Sequence, residues 1–332
     1  MIGPFGRYLS TLIYHRVLPE PDPLVPGAVC AADFERQMAP LVRWFVPLPL
    51  QEAVRRLDEG TLPSRAVCVT FDDGYADNAT VALPIPRRCG IPATIFVATG
   101  FLDGGRMFND SVIETVRRAR GDRLDARSAG LDPLPIATLE ERRAAIAKLP
   151  GAFKYLPVEE RQARVSELEP AAVGRLPSDL MMSSAQLRAV HAQGIAIGAH
   201  TVSHPILLKL DAQRARSEVD GSRKKLEALL DAPVSLFAYP NGRPGVDYGV
   251  EHVRMVKDLG FEAAVSTAWG VCHSGSDRHQ LPRFTPWDRE IPRFVLRLWH
   301  RLLGVSGGAV SENGRLRQGT GGPAGRPPPE RL

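Results

Sequence analysis

Cysteine is scarce in this chain of 332 residues: Cys30, Cys68, Cys89 and Cys272 stand far apart and form no CxxC pair. That spacing excludes a zinc knuckle and a disulfide framework, and the four read as buried or reduced thiols. Long apolar runs are missing too, and none approaches the ~20 residues of a membrane helix. The start, Met1-Ile2-Gly3-Pro4-Phe5-Gly6-Arg7-Tyr8, lacks a charged segment followed by an apolar one. Its first apolar run, Thr11-Leu12-Ile13-Tyr14, is short and ends in His15-Arg16. As written the chain is expected in the cytoplasm, or in the periplasm or envelope if the true start lies elsewhere. The net charge of +5 is largely arginine, and no basic run is interleaved with aromatics, which argues against a nucleic-acid partner. No repeat of fixed period is present.

Hydrophobic residues make up 44 %, enough for a sizeable core. Residues 9–14 read as a strand, 46–50 as a short strand, and 66–71 and 93–98 as continuous apolar strands. Between them lie a Pro-rich loop over 19–26, a helix to Trp44 with Asp33 as its cap, a helix over 51–59 ended by Gly60, and a helix over 75–89 that Pro84 and Pro86 kink or divide. Strands recur at 195–199, 234–239 and 261–266, alternating with helices at 184–192, 211–230 and 250–259. A short extended piece, Leu281-Pro282-Arg283-Phe284, precedes a last helix over 289–303. Strand–helix alternation predicts a parallel sheet or barrel covered by helices. Residues 103–183 differ. They are rich in Arg, Glu and Ala, contain no His or Cys, and predict helices at 110–119, 139–149 and 158–168 without convincing strands. This stretch reads as a helical insertion, a lid or substrate-shaping element, dividing a domain made of 1–102 and 184–303. The stretch 304–332 collapses to Gly, Pro, Ser and Arg and reads as a disordered tail.

Catalytic groups of parallel α/β barrels gather at the C-terminal strand ends. Here such ends carry His15, Asp72-Asp73, His200 and Tyr239-Pro240-Asn241-Gly242. Adjacent carboxylates after a buried strand repel, and burying both is costly without a cation or a proton. One is therefore expected to hold a metal and the other to handle a proton. His200 and His204 share a side if the segment makes a helical turn, and can then bind one ion. Blander readings exist: Asp-Asp-Gly as an Asx turn, the histidine pair as incidental to a helix start, and His15 as a core histidine. The convergence of strand ends favours the metal. Two histidines and a carboxylate with open positions suit Zn2+, and also Co2+, Ni2+, Fe2+ or Mn2+.

Thr70-Phe71-Asp72-Asp73-Gly74, His200-Thr201-Val202-Ser203-His204 and Phe237-Ala238-Tyr239-Pro240-Asn241-Gly242 resemble the first three motifs of the polysaccharide deacetylases (carbohydrate esterase family 4, the NodB homology domain). The resemblance covers about 9–102 and 184–300. It implies a distorted, incomplete (β/α)7 barrel and metal-dependent hydrolysis of N-acetyl groups on an amino-sugar glycan or its precursor. Asp73, His200 and His204 become the metal ligands and Asp72 the general base. The opening Leu12-Ile13-Tyr14-His15-Arg16-Val17 resembles the circularly permuted branch typified by poly-N-acetylglucosamine deacetylases, which gives His15 the general-acid role. In the third motif Ala238 stands where many members carry an Arg that pairs with the base, and Arg283 is the candidate replacement. Asn241 replaces that motif's tyrosine, its backbone N–H still available to an oxyanion. Tyr14, Tyr239 and Trp287 are candidates for stacking on or hydrogen-bonding the glycan, with Pro240 shaping that loop. Alternative readings are a deacylase or deformylase of a lipid- or nucleotide-linked sugar, and a catalytically silent carbohydrate-binding protein.

Overall fold

The computed structural model describes residues 7–302, so the stretch read as a tail lies outside the described residues. Seven parallel strands form one curled sheet: β1 (Leu9–Tyr14), β2 (Val46–Pro47), β3 (Ala66–Phe71), β4 (Ala93–Val97), β5 (Ala196–Ala199), β6 (Leu236–Ala238) and β7 (Ala263–Val265). They run in the order β1-β3-β4-β5-β6-β7, with β2 also hydrogen-bonded to β3. β1 lies in register with β3 along its whole length, Leu9 opposite Ala66 and Tyr14 opposite Phe71. The extended piece at 281–284 spans the remaining gap. Leu281 bridges Val265 of β7, and Phe284 bridges Leu12 of β1. This curled, parallel arrangement is the α/β fold that the alternation of elements predicts.

Side chains alternate across a strand, and the two faces meet different cores. Ala66 and Cys68 of β3, Phe96 of β4, Leu236 and Ala238 of β6, and Ala263 and Val265 of β7 share one cluster with Leu281 and Cys272. Val67, Val69, Phe71, Ile95, Val97, Ala199, Phe237, Tyr239 and Ala264 share another with the surrounding helices. Phe96 needs room on its face. A Cβ at Gly198 would lie 2.5 Å from its ring, so β5 carries no side chain there.

The helices are α1 (Ala31–Trp44), α2 (Leu50–Asp58), α3 (Pro84–Arg88), α4 (Phe108–Arg118), α5 (Leu139–Phe153), α6 (Val158–Leu168), α7 (Ser184–Ala192), α8 (Ala212–Leu230), α9 (Val250–Asp258) and α10 (Ile291–Leu302). Ser183 caps α7 through a reciprocal bond with Gln186, and Asp211 caps α8. Asp33 is not the cap of α1: that position is Cys30, and Asp33 sits in the first turn, where a carboxylate still complements the helix dipole. The helix expected over 75–89 is divided, as the prolines require, into a wide π turn at Asn78–Ala82 and then α3.

Helices α4, α5 and α6 form their own apolar cluster, with Val112, Val116, Leu149, Phe153, Val165 and Leu168 buried. Leu24 of the Pro-rich loop packs into it, and Asp22 of that loop ion-pairs with Arg117. A two-residue antiparallel ribbon, Arg123–Leu124 with Leu134–Pro135, adds strand where none was expected. No described helix is long and apolar enough to cross a membrane.

Candidate metal centre and active site

Alternation carries Asp72 onto the face that β3 shares with Ala66, Cys68 and Thr70, and His200 onto the face of Ala196 and Gly198. Both are nearly inaccessible, Asp72 at 2 % and His200 at 1 % exposure. The turn after β3 is left-handed at Asp73 (φ 75°) and Gly74 (φ 86°). A Cβ at Gly74 would meet Val97 at 3.0 Å, so glycine is required on both steric counts. The turn leaves Asp73 beside the histidines. His200 Nε2 lies 3.4 Å and His204 Nε2 3.5 Å from Asp73 Oδ1. One donor atom from each of these residues falls within 4.8 Å of the others, and no other such group of three occurs among the described residues. Asp73 Oδ1 is buried without a hydrogen-bond partner, so the histidine approaches do not satisfy it. An orphaned buried carboxylate oxygen facing two imidazole nitrogens fits a divalent cation, whose charge removes the cost of burying it.

The tautomer of His200 is set from behind. Its Nδ1 is 2.7 Å from the Ala238 carbonyl, so Nδ1 carries the proton and Nε2 is free to ligate. The segment joining the two histidines is not the helical turn that the spacing suggested. Thr201 (φ 65°) and His204 (φ 51°) are left-handed. Glu218 of α8 holds the loop instead, accepting from the Val202 and Ser203 N–H groups and the Ser203 hydroxyl. The Thr201 hydroxyl accepts from the His204 N–H.

Arg283 reaches Asp72. Its Nη1 and Nη2 donate to the two carboxylate oxygens at 2.7 and 2.6 Å, and its Nε donates to the Ser266 carbonyl. The guanidinium lies 5.6 Å from the centre of the Phe96 ring, at 1 % exposure. Burial pushes Asp72 up, but the Arg283 charge, with those of His200 and His15 and the Arg283 hydrogen bonds, holds its carboxyl below the usual range. Burial likewise raises Asp73, and the His200 and His204 imidazoles and His15 outweigh it, keeping it well below that range. His204 is pushed down to about 3, first by burial and then by neighbouring positive charge. A neutral imidazole at neutral pH is the form that ligates.

The family profile for polysaccharide deacetylase matches residues 59–156 and 160–264. The chain belongs to the polysaccharide deacetylase family. YxkH of Bacillus subtilis (strain 168), named for the same family, is 22 % identical over 281 residues, covering 83 % of this chain and 70 % of its own length. Among solved structures, the deacetylase PplD of Streptococcus pyogenes, solved in complex with acetate, aligns with a TM-score of 0.61 at 19 % identity over 88 % of this chain and 97 % of that one. IcaB of Ammonifex degensii aligns with a TM-score of 0.58 at 19 % identity over 90 % of this chain and 98 % of its own. At these identities the solved structures speak for the fold.

His15 is exposed at the end of β1, on the same rim, and its charge acts on Asp72, Asp73 and His204. Its carbonyl accepts from Asn78 Nδ2 at 2.7 Å, and Asp77 ion-pairs with Arg16 beside it. Asn78, the first residue of the Asn-Ala-Thr triplet, is thus fully buried and structural. Asn241 is left-handed (φ 60°), its carbonyl accepts from the Thr267 hydroxyl, and its N–H has no partner among the described residues.

Two candidates are not at the site. Tyr239 has the parity of Phe237, so it points to the outer face, stacks on Tyr248 at 3.8 Å and donates to the His279 carbonyl. Tyr14 has the parity of Leu12, packs against Phe34 and Phe71 and donates to Gln37. Pro240 is buried, and its carbonyl accepts from the Gly242 N–H. Trp287 is half-buried and stacked on Trp269 at 4.9 Å. Sequence reasoning missed Asp110, a buried acid of α4. Burial, Asp73 and Asp77 push it up to about 7 against the pull of Arg16 and Tyr75. A cleft of about 760 Å³ lined by Glu52, Arg55, Asp58, Glu262 and Arg278 opens away from this site, beside α2 and the N-terminal ends of β6 and β7.

Proposed function

We propose that the protein is a metal-dependent N-deacetylase that hydrolyses acetamido groups of an amino-sugar glycan. The observation that supports this best is the pairing of two unlike carboxylates. Asp72 is bound bidentately by Arg283, while its neighbour Asp73 keeps an unpartnered oxygen toward His200 and His204. A divalent ion held by Asp73, His200 and His204, with zinc the first choice, supplies Lewis-acid polarisation of the amide carbonyl and a more acidic water. Asp72, kept ionised by Arg283, accepts the proton of the attacking water. The Asn241 N–H donates to the oxyanion that develops on the former carbonyl. His15, protonated, donates to the leaving amine across the rim. The products are acetate and a free amino sugar. A structural metal site is disfavoured, because three protein donors leave open positions where closed structural zinc sites use four.

Acetate release from N-acetylglucosamine oligomers tests this, with and without chelator. Activity is expected in the metal-loaded protein and lost on chelation. Asp72→Asn is expected to keep the metal and lose turnover by at least about 10²-fold, whereas His200→Ala loses the metal. Equal metal loss in both variants would overturn the division of roles. Glycan binding without acyl release from any amino sugar would favour a silent binding protein.

A further inference from the structure

Three arginines are buried among the described residues: Arg283 at 1 % exposure, and Arg161 and Arg301 at 6 %. Two are provided for. Arg283 binds Asp72 and the Ser266 carbonyl. Arg301 donates to the Gly270 carbonyl and lies over Trp269 and Phe284. The Arg161 side chain makes no hydrogen bond and no ion pair with any described residue, its one close partner being the Phe108 ring, 4.5 Å from the guanidinium carbon. A guanidinium has five N–H donors and does not deprotonate, so burying it without an acceptor is costly. No nitrogen of Arg161 is both enclosed and unpartnered. Lacking hydrogen bonds, its nitrogens therefore open onto solvent from an otherwise buried side chain.

The position of this cation is what gives it meaning. Arg161 stands on α6, and its charge acts on His204 and on Glu218. Glu218 is the nearby acid, but its oxygens are committed to the Val202 and Ser203 N–H groups and the Ser203 hydroxyl, which hold the metal-site loop. The same part of the chain reaches the opposite loop, where the Tyr155 hydroxyl accepts from Arg243, two residues after Asn241. Glu159, two residues before Arg161, ion-pairs at 3.2 Å with Arg214 of α8, one turn before Glu218, so Arg161 lies between the helix that clasps the His204 loop and the ring of Phe108.

We propose that Arg161 binds an anionic group of the substrate, so that the acetamido sugar to be deacetylated carries or adjoins a carboxylate or phosphate. This rests on the deacetylase reading and sharpens its substrate class. The planar fork of a guanidinium matches either oxyanion bidentately, and stacking on Phe108 fixes its plane.

Equilibrium binding to the zinc-loaded full-length chain tests the proposal, comparing neutral N-acetylglucosamine oligomers with equal-length oligomers alternating N-acetylglucosamine and glucuronate. N-acetylglucosamine 1-phosphate against N-acetylglucosamine forms the phosphate arm. Affinity for at least one anionic ligand is expected to exceed that for its neutral partner by roughly ten-fold. The arm that shows it identifies the anion. Arg161→Gln is expected to abolish the preference while leaving neutral binding in place, and Arg161→Lys to restore part of it. Equal affinities for all ligands in the wild-type chain overturn the proposal, and this comparison stands even if the variants fail to fold. A preference that survives in folded Arg161→Gln also overturns it. Affinity is read apart from turnover: deacetylation without anion preference removes this inference alone, and anion preference without acetate release removes the deacetylase reading alone.

Discussion

The parallel sheet and helices α4–α6 place their polar groups by different rules. On the barrel side, position follows from strand parity. Asp72 and His200 continue the alternation of β3 and β5 onto one face, and Arg283 sits within the segment that bridges β7 and β1. Asp110 and Arg161, by contrast, come from helices with no motif, placed by how α4 and α6 pack on each other. On the barrel side Asp72 is paired with Arg283, and the open oxygen of Asp73 faces two imidazoles with which it can share an ion. The groups on α4 and α6 have neither provision, since Asp110 Oδ2 is buried without a partner and the Arg161 guanidinium, which opens onto solvent, has no protein acceptor. A paired group fixes a geometry, whereas an unpaired buried group is costly until something else meets it.

The sharpest way to break the paired side is Arg283→Gln. Removing one member of a buried ion pair leaves an uncompensated charge and costs roughly 3–5 kcal/mol. The same loss lets burial dominate at Asp72, so its pKa rises. A base acts deprotonated, so the acid limb of the kcat/KM profile is expected to move to higher pH. Denaturation and a pH–rate profile check both effects. An unmoved acid limb in a folded variant would show that Asp72 is not held ionised by Arg283.

Asp110→Asn probes the unpaired side and acts through pH. The Asp110 carboxyl is pushed up to about 7, first by burial, from 3.8. Between these values the folded chain holds a proton that the unfolded chain has released, so stability falls as pH rises from about 4 to about 7. Asn cannot ionise and removes that slope. In chelated protein, the variant is expected to gain on the wild type by up to a few kcal/mol between about pH 4.5 and pH 8. Parallel stability curves for the two proteins would count against a shifted Asp110.

The same division explains what could be read from the chain before its structure. Strand–helix alternation pointed to the parallel sheet and the strand-end residues to a metal, because a strand of period two converts sequence position directly into facing, whereas the choice of Asp73 as ligand and of Arg283 as the partner of Asp72 followed from the family resemblance. That rule, applied strictly, also places Tyr14 with Leu12 and Tyr239 with Phe237 on the outer face, where both are found. Proximity to a motif marks both as site candidates, and parity overrules it. The histidine loop was less legible. Its left-handed residues and its Glu218 clasp depend on a carboxylate fourteen residues beyond His204, on another element. Asp110 was hidden by an ordinary role, since an acid near a helix start reads as a dipole partner. Arg161 was hidden among the many arginines of 103–183, as burial of one charged residue in a polar helix leaves no periodic mark.

The mildest test asks whether the two sides are mechanically joined. Tyr155, between α5 and α6, accepts at 2.6 Å from Arg243, whose guanidinium also binds the fully buried Asp247. Arg243 follows Gly242, so this contact connects the segment between α5 and α6 to the loop carrying the Asn241 N–H. Tyr155 is 46 % exposed, so its hydrogen bond is screened by water, and Tyr155→Phe is expected to cost less than about 1 kcal/mol of stability. If the contact positions the loop, kcat falls by a small factor while zinc content stays constant, because Asp73, His200 and His204 lie on other elements. A change in zinc content instead of kcat would mean that α5 and α6 act on the metal loop rather than on the loop of Asn241.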